Sequence, residues 1–87
     1  MTGAGKGTHM EVRFFAGAAE AAGAESLSVS GAGTVAALVD QLGAGNDRLA
    51  EVLNVSSLLA DGARVADRGA SLDGVARVDV LPPFAGG

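Results

Sequence analysis

Apolar and polar residues alternate in two short segments near the start of the chain, residues 10–15 and 26–30. A period of two is typical of half-buried strands. Between them, residues 17–23 are rich in alanine and long enough for one to two helical turns. The inward strand positions are Met10, Val12, Phe14, Leu27 and Val29. The start of the chain therefore predicts strand, short helix, strand.

The middle of the chain changes to helical spacing. Thr34 can cap a helix, because its hydroxyl accepts free backbone N–H groups, and Gly43 fits a C-terminal stop. Apolar residues at i, i+3, i+4 and i+7 form one stripe between them: Val35, Leu38, Val39 and Leu42. A second, shorter helical piece is predicted over residues 47–53, with one apolar side made of Leu49, Val52 and Leu53.

The rest of the chain again has strand character. Asp61-Gly62 and Leu72-Asp73-Gly74 are turn signals, and Pro82-Pro83 ends the last strand because proline gives no N–H to a ladder. In that strand Val78 and Val80 face inward, whereas Arg77 and Asp79 face outward. The strands are predicted at residues 55–60, 64–66 and 75–81.

These elements predict an α+β, β-grasp (ubiquitin-like) fold. One principal amphipathic helix covers one face of a mixed sheet, which is a stable two-layer arrangement, and the first and last strands pair as parallel neighbours in its middle. The domain is expected over residues 10–83. Residues 1–9 are interpreted as a disordered leader or a cloning remnant, and residues 84–87 as a flexible Gly-Gly tail.

Composition excludes several classes of function. The 87 residues contain no cysteine, so thiolate nucleophiles, disulfides and thiolate metal sites are excluded. A net charge of −4 and only three aromatic residues argue against nucleic-acid binding. No secretory signal and no apolar run of about 20 residues is present, so we expect a cytoplasmic protein.

Isolated polar residues give no metal site. His9 is the sole histidine and lies in the predicted leader, and a lone histidine cannot hold a metal ion. Four aspartates are interpreted as solvated surface charges or turn formers: Asp61, Asp67, Asp73 and Asp79. We therefore expect neither a metal nor a cofactor on this chain.

The C-terminal segment is the most informative feature. It reads Leu81-Pro82-Pro83-Phe84-Ala85-Gly86-Gly87. A rigid diproline thus follows the last strand, and the segment ends in two glycines. The four residues beyond the diproline reach about 13–14 Å when extended. Because glycine lacks a Cβ, such a tail can thread a narrow channel in another protein.

Phe15 follows Phe14 directly, so in an alternating strand its side chain points to the face opposite that of Val12 and Phe14. It can therefore point away from the core and form an exposed apolar patch with Leu81 and Phe84, and such patches often mark interfaces. The alternative is that Phe15 packs under the helix at residues 18–22.

Residues 10–87 resemble the MoaD/ThiS group of sulfur carriers, and most of all the small, sulfur-carrying subunit of molybdopterin synthase. The resemblance is carried by VRFFAGA at 12–18, ADG at 60–62, LDG at 72–74 and VDVLPPFAGG at 78–87. Two positions depart from the family pattern, because Asp61 stands where Asn is frequent and Val75-Ala76 replaces a common acidic pair.

The resemblance implies a carrier that is not an enzyme on its own. An E1-like adenylyltransferase would use ATP to adenylate Gly87, sulfur from an unspecified donor would displace AMP, and the resulting thiocarboxylate would enter the synthase large subunit. The reactive tail would be Gly87, with Gly86 giving it freedom. The contacts with partners would be Phe15, Leu81, Pro82, Pro83, Phe84 and Ala85.

The same resemblance implies a heterotetramer of two small and two large subunits. Two alternatives stay open at this point. One is a sulfur carrier for thiamine, cysteine or tRNA thiolation, and the other is a ubiquitin-like modifier whose Gly87 forms an isopeptide bond with a target lysine.

Overall fold

The computed structural model describes residues 9–83, in which strands and helices alternate around one sheet. The elements are β1 (His9–Phe14), α1 (Gly17–Ala22), β2 (Ser26–Ser30), α2 (Val35–Gly43), α3 (Asp47–Val55), β3 (Ser57–Ala60), β4 (Ala63–Arg64) and β5 (Arg77–Leu81). Residues 1–8 and 84–87, which include most of the predicted leader and the whole predicted tail, lie outside the described residues.

The sheet is mixed and has the strand order β2-β1-β5-β3-β4. β1 pairs parallel with β5, with Val12 opposite Val78, and all other pairs are antiparallel. The β3–β4 hairpin turns at Asp61 and Gly62, whose φ angles of 48° and 88° fit a type I′ turn. The predicted β-grasp architecture with parallel first and last strands is therefore confirmed.

The core lies between the helices and one face of the sheet. β1 contributes Met10, Val12 and Phe14, and β5 contributes Val78 and Val80, as their alternation predicts. The other buried apolar residues of the described chain come mainly from the helices and loops: Ala18, Val29, Ala32, Val35, Leu38, Leu42, Leu49, Leu53, Leu58 and Leu72. Burial of each leucine side chain contributes about 1.5–3 kcal/mol relative to exposure.

Two helices of equal length, rather than one principal helix, cover the sheet. Both α2 and α3 have nine residues. The Thr34 hydroxyl accepts the Ala37 N–H at 3.1 Å, as predicted for the cap of α2. α3 continues to Val55, two residues beyond the prediction, which assigned Val55 to the following strand.

Gly43 is the last residue of α2 rather than its stop signal. A Cβ on Gly43 would lie 2.9 Å from the Ala50 Cβ of α3, so glycine allows the two helices to approach each other. The left-handed conformation after α2 is instead at Gly45, with φ 74°.

Several strand boundaries differ from the prediction by one to two residues. β1 begins one residue early at His9, β3 starts at Ser57, β4 covers Ala63–Arg64, and β5 starts at Arg77. Leu27 lies opposite Val12, on the core side of β2, but is 41% exposed at this edge strand.

Candidate functional site

The candidate site is the root of the C-terminal segment, where β5 leaves the sheet. β5 ends at Leu81, which is half-buried, and the diproline follows with Pro82 half-buried and Pro83 exposed. The remaining predicted site residues lie outside the described residues: Phe84, Ala85, Gly86 and Gly87. The structure thus describes the strand and the diproline that precede the tail, and the chemistry of the tail stays a prediction.

The start of β5 is held by the turn between β3 and β4. The Asp61 carboxylate accepts the Arg77 N–H at 3.0 Å and the Ala76 N–H at 3.1 and 3.2 Å. The Asp61 N–H also donates to the Arg77 carbonyl at 2.8 Å. Asp61 is therefore more than a turn former, because its side chain fixes the register at which β5 begins.

Phe15 lies beside the end of β5. Its N–H donates to the Val80 carbonyl at 3.2 Å, which continues the parallel ladder by one residue. Its ring is half-buried and lies 5.4 Å from the Arg13 guanidinium carbon, a cation–π distance. Phe15 is thus on the side of the sheet that carries Arg13, and the alternative packing under α1 is not adopted.

We call the sheet face opposite the core the outer face. The register arranges its side chains in rows across the strands. The row next to the tail contains Phe15, Leu81 and Ser57; the middle row contains Ser26, Arg13, Asp79, Leu59 and Arg64; the far row contains Ser28, Glu11 and Arg77.

Asp79 is the centre of this face and is buried, contrary to the expected solvated charge. It is 9% exposed, because the side chains of Arg13 and Arg77 cover it. Its Oδ1 lies 3.4 Å from Arg13 Nε and 3.5 Å from Arg77 Nε. Opposite charges in adjacent strands stabilise a sheet only modestly, so this triad mainly fixes where the two guanidinium groups lie.

Ala16 connects β1 to α1 in a strained backbone conformation. Its φ of 50° and ψ of −126° fall in a region that residues with a Cβ rarely adopt. Ala16 also lines a groove of about 520 Å³ together with Phe15, Ala19, Glu25 and Ser26. The loop beside the tail root is therefore held in place by its surroundings rather than by local preference.

The parallel register places Phe15 and Leu81 at neighbouring positions of the outer face, and Pro82 and Pro83 follow Leu81. Their role as partner contacts stays a prediction. Sequence reasoning missed the Arg13–Asp79–Arg77 triad. The alternation of β1 and β5 placed these residues outward, but only the parallel register makes Arg13 the neighbour of Asp79. No signal in the sequence indicated the strain at Ala16.

Within residues 9–83 no cluster of side chains is arranged to hold a metal ion. Over the same part of the chain, no helix has the length and apolar character needed to cross a bilayer.

Comparison with solved structures gives the same fold. The chain is similar to the small archaeal modifier SAMP1 of Haloferax volcanii, at 27% identity over 92% of this chain and 100% of that chain, with a TM-score of 0.73. The Haloferax volcanii HVO 2177 protein is 32% identical over 93% of this chain and 88% of its own, also with a TM-score of 0.73. SAMP1 of Methanosarcina acetivorans, at 23% identity, shares the fold with a TM-score of 0.69.

No curated protein matches the chain significantly. The model of the ThiS family, in contrast, matches residues 12–87, which include the end of β1, all of β5 and the final Gly-Gly. Proteins of this family are carriers that an E1-like partner activates, and they are not catalysts themselves. With the family model covering most of the chain and the β-grasp fold in place, the chain belongs to the ThiS family, in the ThiS/MoaD group of sulfur carriers.

Proposed function

We propose that the carboxyl group of Gly87 is the reactive group of this protein and that an E1-like partner activates it with ATP. One observation carries the proposal: the ThiS-family match extends through residue 87, past the end of β5 at Leu81 and the Pro82-Pro83 pair that follows it. The diproline cannot continue the ladder, because proline has no backbone N–H to donate.

The activation step explains why a carboxyl terminus needs a partner. A carboxylate resists nucleophiles, because its charge is delocalised and oxide is a poor leaving group. A Gly87 oxygen therefore attacks the α-phosphorus of ATP and pyrophosphate leaves. A nucleophile then adds at the acyl carbon of the resulting adenylate and AMP leaves. The partner supplies the acid–base groups, and this chain supplies a tethered acyl group at high effective concentration.

The nucleophile that displaces AMP decides between two functions. A sulfur nucleophile yields a thiocarboxylate, and the protein is then a sulfur carrier. A lysine amine of a target protein yields an isopeptide bond, and the protein is then a ubiquitin-like modifier. The similarity to two Haloferax volcanii proteins, one of them a small archaeal modifier, favours including the second function beside the first.

The specific destination of the sulfur is proposed from the ending Pro82-Pro83-Phe84-Ala85-Gly86-Gly87, which resembles that of the molybdopterin synthase small subunit. In that case the tail enters the large subunit, and the thiocarboxylate gives its sulfur to a pterin precursor. The patch of Phe15, Leu81 and Phe84 would then contact the large subunit.

The test is to incubate the protein with its E1-like enzyme, ATP and a sulfur donor, and to measure its intact mass. A gain of about 16 Da, from oxygen replaced by sulfur, supports the carrier. A ladder of conjugates in lysate supports the modifier, and copurification with a pterin-binding large subunit supports the molybdopterin destination. The matched control ends at Ala85; it should fold normally and give neither product. If neither product forms with the full chain, the proposal fails.

A further inference from the structure

Two aspartates are followed directly by glycine, at Asp61-Gly62 and at Asp73-Gly74. An Asp-Gly step isomerises without an enzyme when the backbone nitrogen after the aspartate attacks the side-chain carboxyl carbon and closes a five-membered ring. Glycine favours this reaction because it has no Cβ to hinder the approach of its nitrogen. The sequence alone therefore assigns the same reactivity to both steps.

Exposure to solvent does not distinguish the two steps either, because all four residues are exposed. Both glycines also lie in turns and have positive φ, 88° at Gly62 and 80° at Gly74. The two steps differ instead in the hydrogen bonds of their carboxylates.

The Asp61 carboxylate is engaged through both of its oxygens. Oδ1 accepts the N–H of Ala76 at 3.1 Å and that of Arg77 at 3.0 Å, and Oδ2 accepts the N–H of Ala76 at 3.2 Å. Attack by the Gly62 nitrogen requires the carboxyl group to turn out of these bonds, so their loss raises the barrier to ring closure. The contact that holds the start of β5 therefore also protects Asp61.

The Asp73 carboxylate lacks such partners. Asp73 lies in a turn closed by the Val75 N–H, which donates to the Leu72 carbonyl at 3.0 Å, and its own N–H donates to the Ser71 Oγ at 3.0 Å. Within residues 9–83, neither the Asp73 carboxylate nor the Gly74 N–H takes part in a hydrogen bond or ion pair. Both reacting groups of this step are thus unengaged.

Asp73 also has space in which its side chain can rotate. It borders a cavity of about 170 Å³ that is otherwise lined by Gly31, Ala32 and Gly33. None of these residues carries more than a methyl group, so no bulky side chain on that side blocks the change of rotamer that ring closure needs.

We propose that Asp73-Gly74 is a site of spontaneous isomerisation in the folded protein and that Asp61-Gly62 is protected from this reaction. The Gly74 nitrogen attacks Cγ of the protonated Asp73 carboxyl group and gives up its proton, and water leaves to form a succinimide. A second water then adds to the backbone carbonyl carbon of Asp73, and the bond from that carbon to the Gly74 nitrogen breaks. The product is isoaspartate, with no net change of mass and no oxidant or cofactor consumed.

The two steps differ in what isomerisation would do to the fold. Isoaspartate carries the backbone through the former side chain, which adds one methylene to the chain and leaves the former α-carboxyl group as the free carboxylate. At Asp73 this insertion falls in an exposed turn. At Asp61 it would remove the carboxylate from the N–H groups of Ala76 and Arg77. The protected step is therefore the one whose isomerisation would release the start of β5.

Ageing of the full chain for several weeks at physiological temperature and neutral pH tests the proposal, with one sample in buffer and one unfolded in guanidinium chloride. Cleavage by trypsin after arginine places each step on its own peptide, residues 49–64 and residues 69–77. Isoaspartate has the mass of aspartate, so the isomers are separated by liquid chromatography and assigned by electron-transfer fragmentation, which distinguishes the two backbones.

We expect Asp73 to isomerise at least about tenfold faster than Asp61 in the folded chain, since only Asp61 has hydrogen bonds to lose. In guanidinium chloride the two rates should agree within about threefold, because both steps then lie in an unfolded chain. Asp73→Glu is the matched control. It keeps the charge but cannot close a five-membered ring, so isomer should vanish from residues 69–77 and stay unchanged in residues 49–64.

Three results would overturn the proposal. The first is an Asp61 rate equal to or above that of Asp73 in the folded chain. The second is a lack of isoaspartate at Asp73 after an ageing period that isomerises both steps in guanidinium chloride. The third is a difference between the two rates that persists in guanidinium chloride, because it would then come from the local sequence and not from the hydrogen bonds of the fold.

Discussion

Replacement of Asp61 by alanine should destabilise the protein by removing the connection between the β3–β4 turn and β5. The Asp61 carboxylate is the acceptor for two backbone N–H groups, those of Ala76 and Arg77, at 3.0–3.2 Å. Asp61 also adopts φ 48°, a left-handed conformation that aspartate tolerates better than alanine does.

The magnitude follows from these two contributions. A hydrogen bond to a charged group contributes about 1.5–3 kcal/mol in favourable cases. The site is exposed, so water replaces part of the lost interaction and we take about 1–2 kcal/mol for the carboxylate. The left-handed conformation adds about 1 kcal/mol for alanine. Asp61→Ala should therefore cost about 2–3 kcal/mol, or a decrease of roughly 10–20 °C in Tm for a domain of this size.

Urea unfolding followed by circular dichroism measures the change, and two further variants separate its causes. Asp61→Asn keeps one side-chain acceptor and tolerates left-handed φ, so it should cost about 1 kcal/mol. Asp61→Gly removes the carboxylate without the backbone strain, so it should be more stable than Asp61→Ala. The reasoning is refuted if Asp61→Ala is within about 0.5 kcal/mol of wild type, or if Asn destabilises as much as Ala.

Three other substitutions probe local features, each by urea unfolding. Ala16→Gly should stabilise the protein by about 1 kcal/mol, because it releases the strain at φ 50°. Asn46→Ala should cost about 2 kcal/mol, since the amide oxygen caps α3 at the Leu49 N–H and the amide nitrogen donates to the Ala21 carbonyl. Gly43→Ala should cost about 1–2 kcal/mol, because its Cβ would meet that of Ala50 at 2.9 Å.

Each of these substitutions has a control. Ala44→Gly, at the ordinary φ of −64°, should lower stability, and Ala16→Gly doing the same would remove the strain argument. Asn46→Asp keeps the cap but not the donor, so it should lose about half as much as Asn46→Ala. Gly17→Ala meets no atom within 4 Å; if it destabilised as much as Gly43→Ala, crowding would not be the cause.

The alternating strands and the helix stripe were predictable because each reflects a periodicity that one face of the core requires. Met10, Val12 and Phe14 are buried for this reason, and the turn at Asp61-Gly62 follows from residues that accept positive φ. The end of α3 was not predictable, because Val55 stands alone between Asn54 and Ser56 and fits either the end of a helix or the start of a strand.

The position of Phe15 and Leu81 at the tail root followed from parity and from pairing of the first and last strands. The burial of Asp79 did not, because it depends on Arg13 from β1 and on the exact parallel register. Long-range pairs of this kind leave no local pattern in the sequence. The hydrogen bonds of Asp61 to Ala76 and Arg77 were missed for the same reason.

Exchange of labelled pyrophosphate into ATP by the E1-like partner tests the account most directly, because formation of the Gly87 adenylate is the step shared by sulfur carriage and protein modification. The full chain should support exchange. The chain ending at Ala85 should support none, although it unfolds at the same urea concentration as the full chain. Exchange that is absent with the full chain, or equal for both chains, would contradict the claim that the terminal carboxyl group is the reactive group.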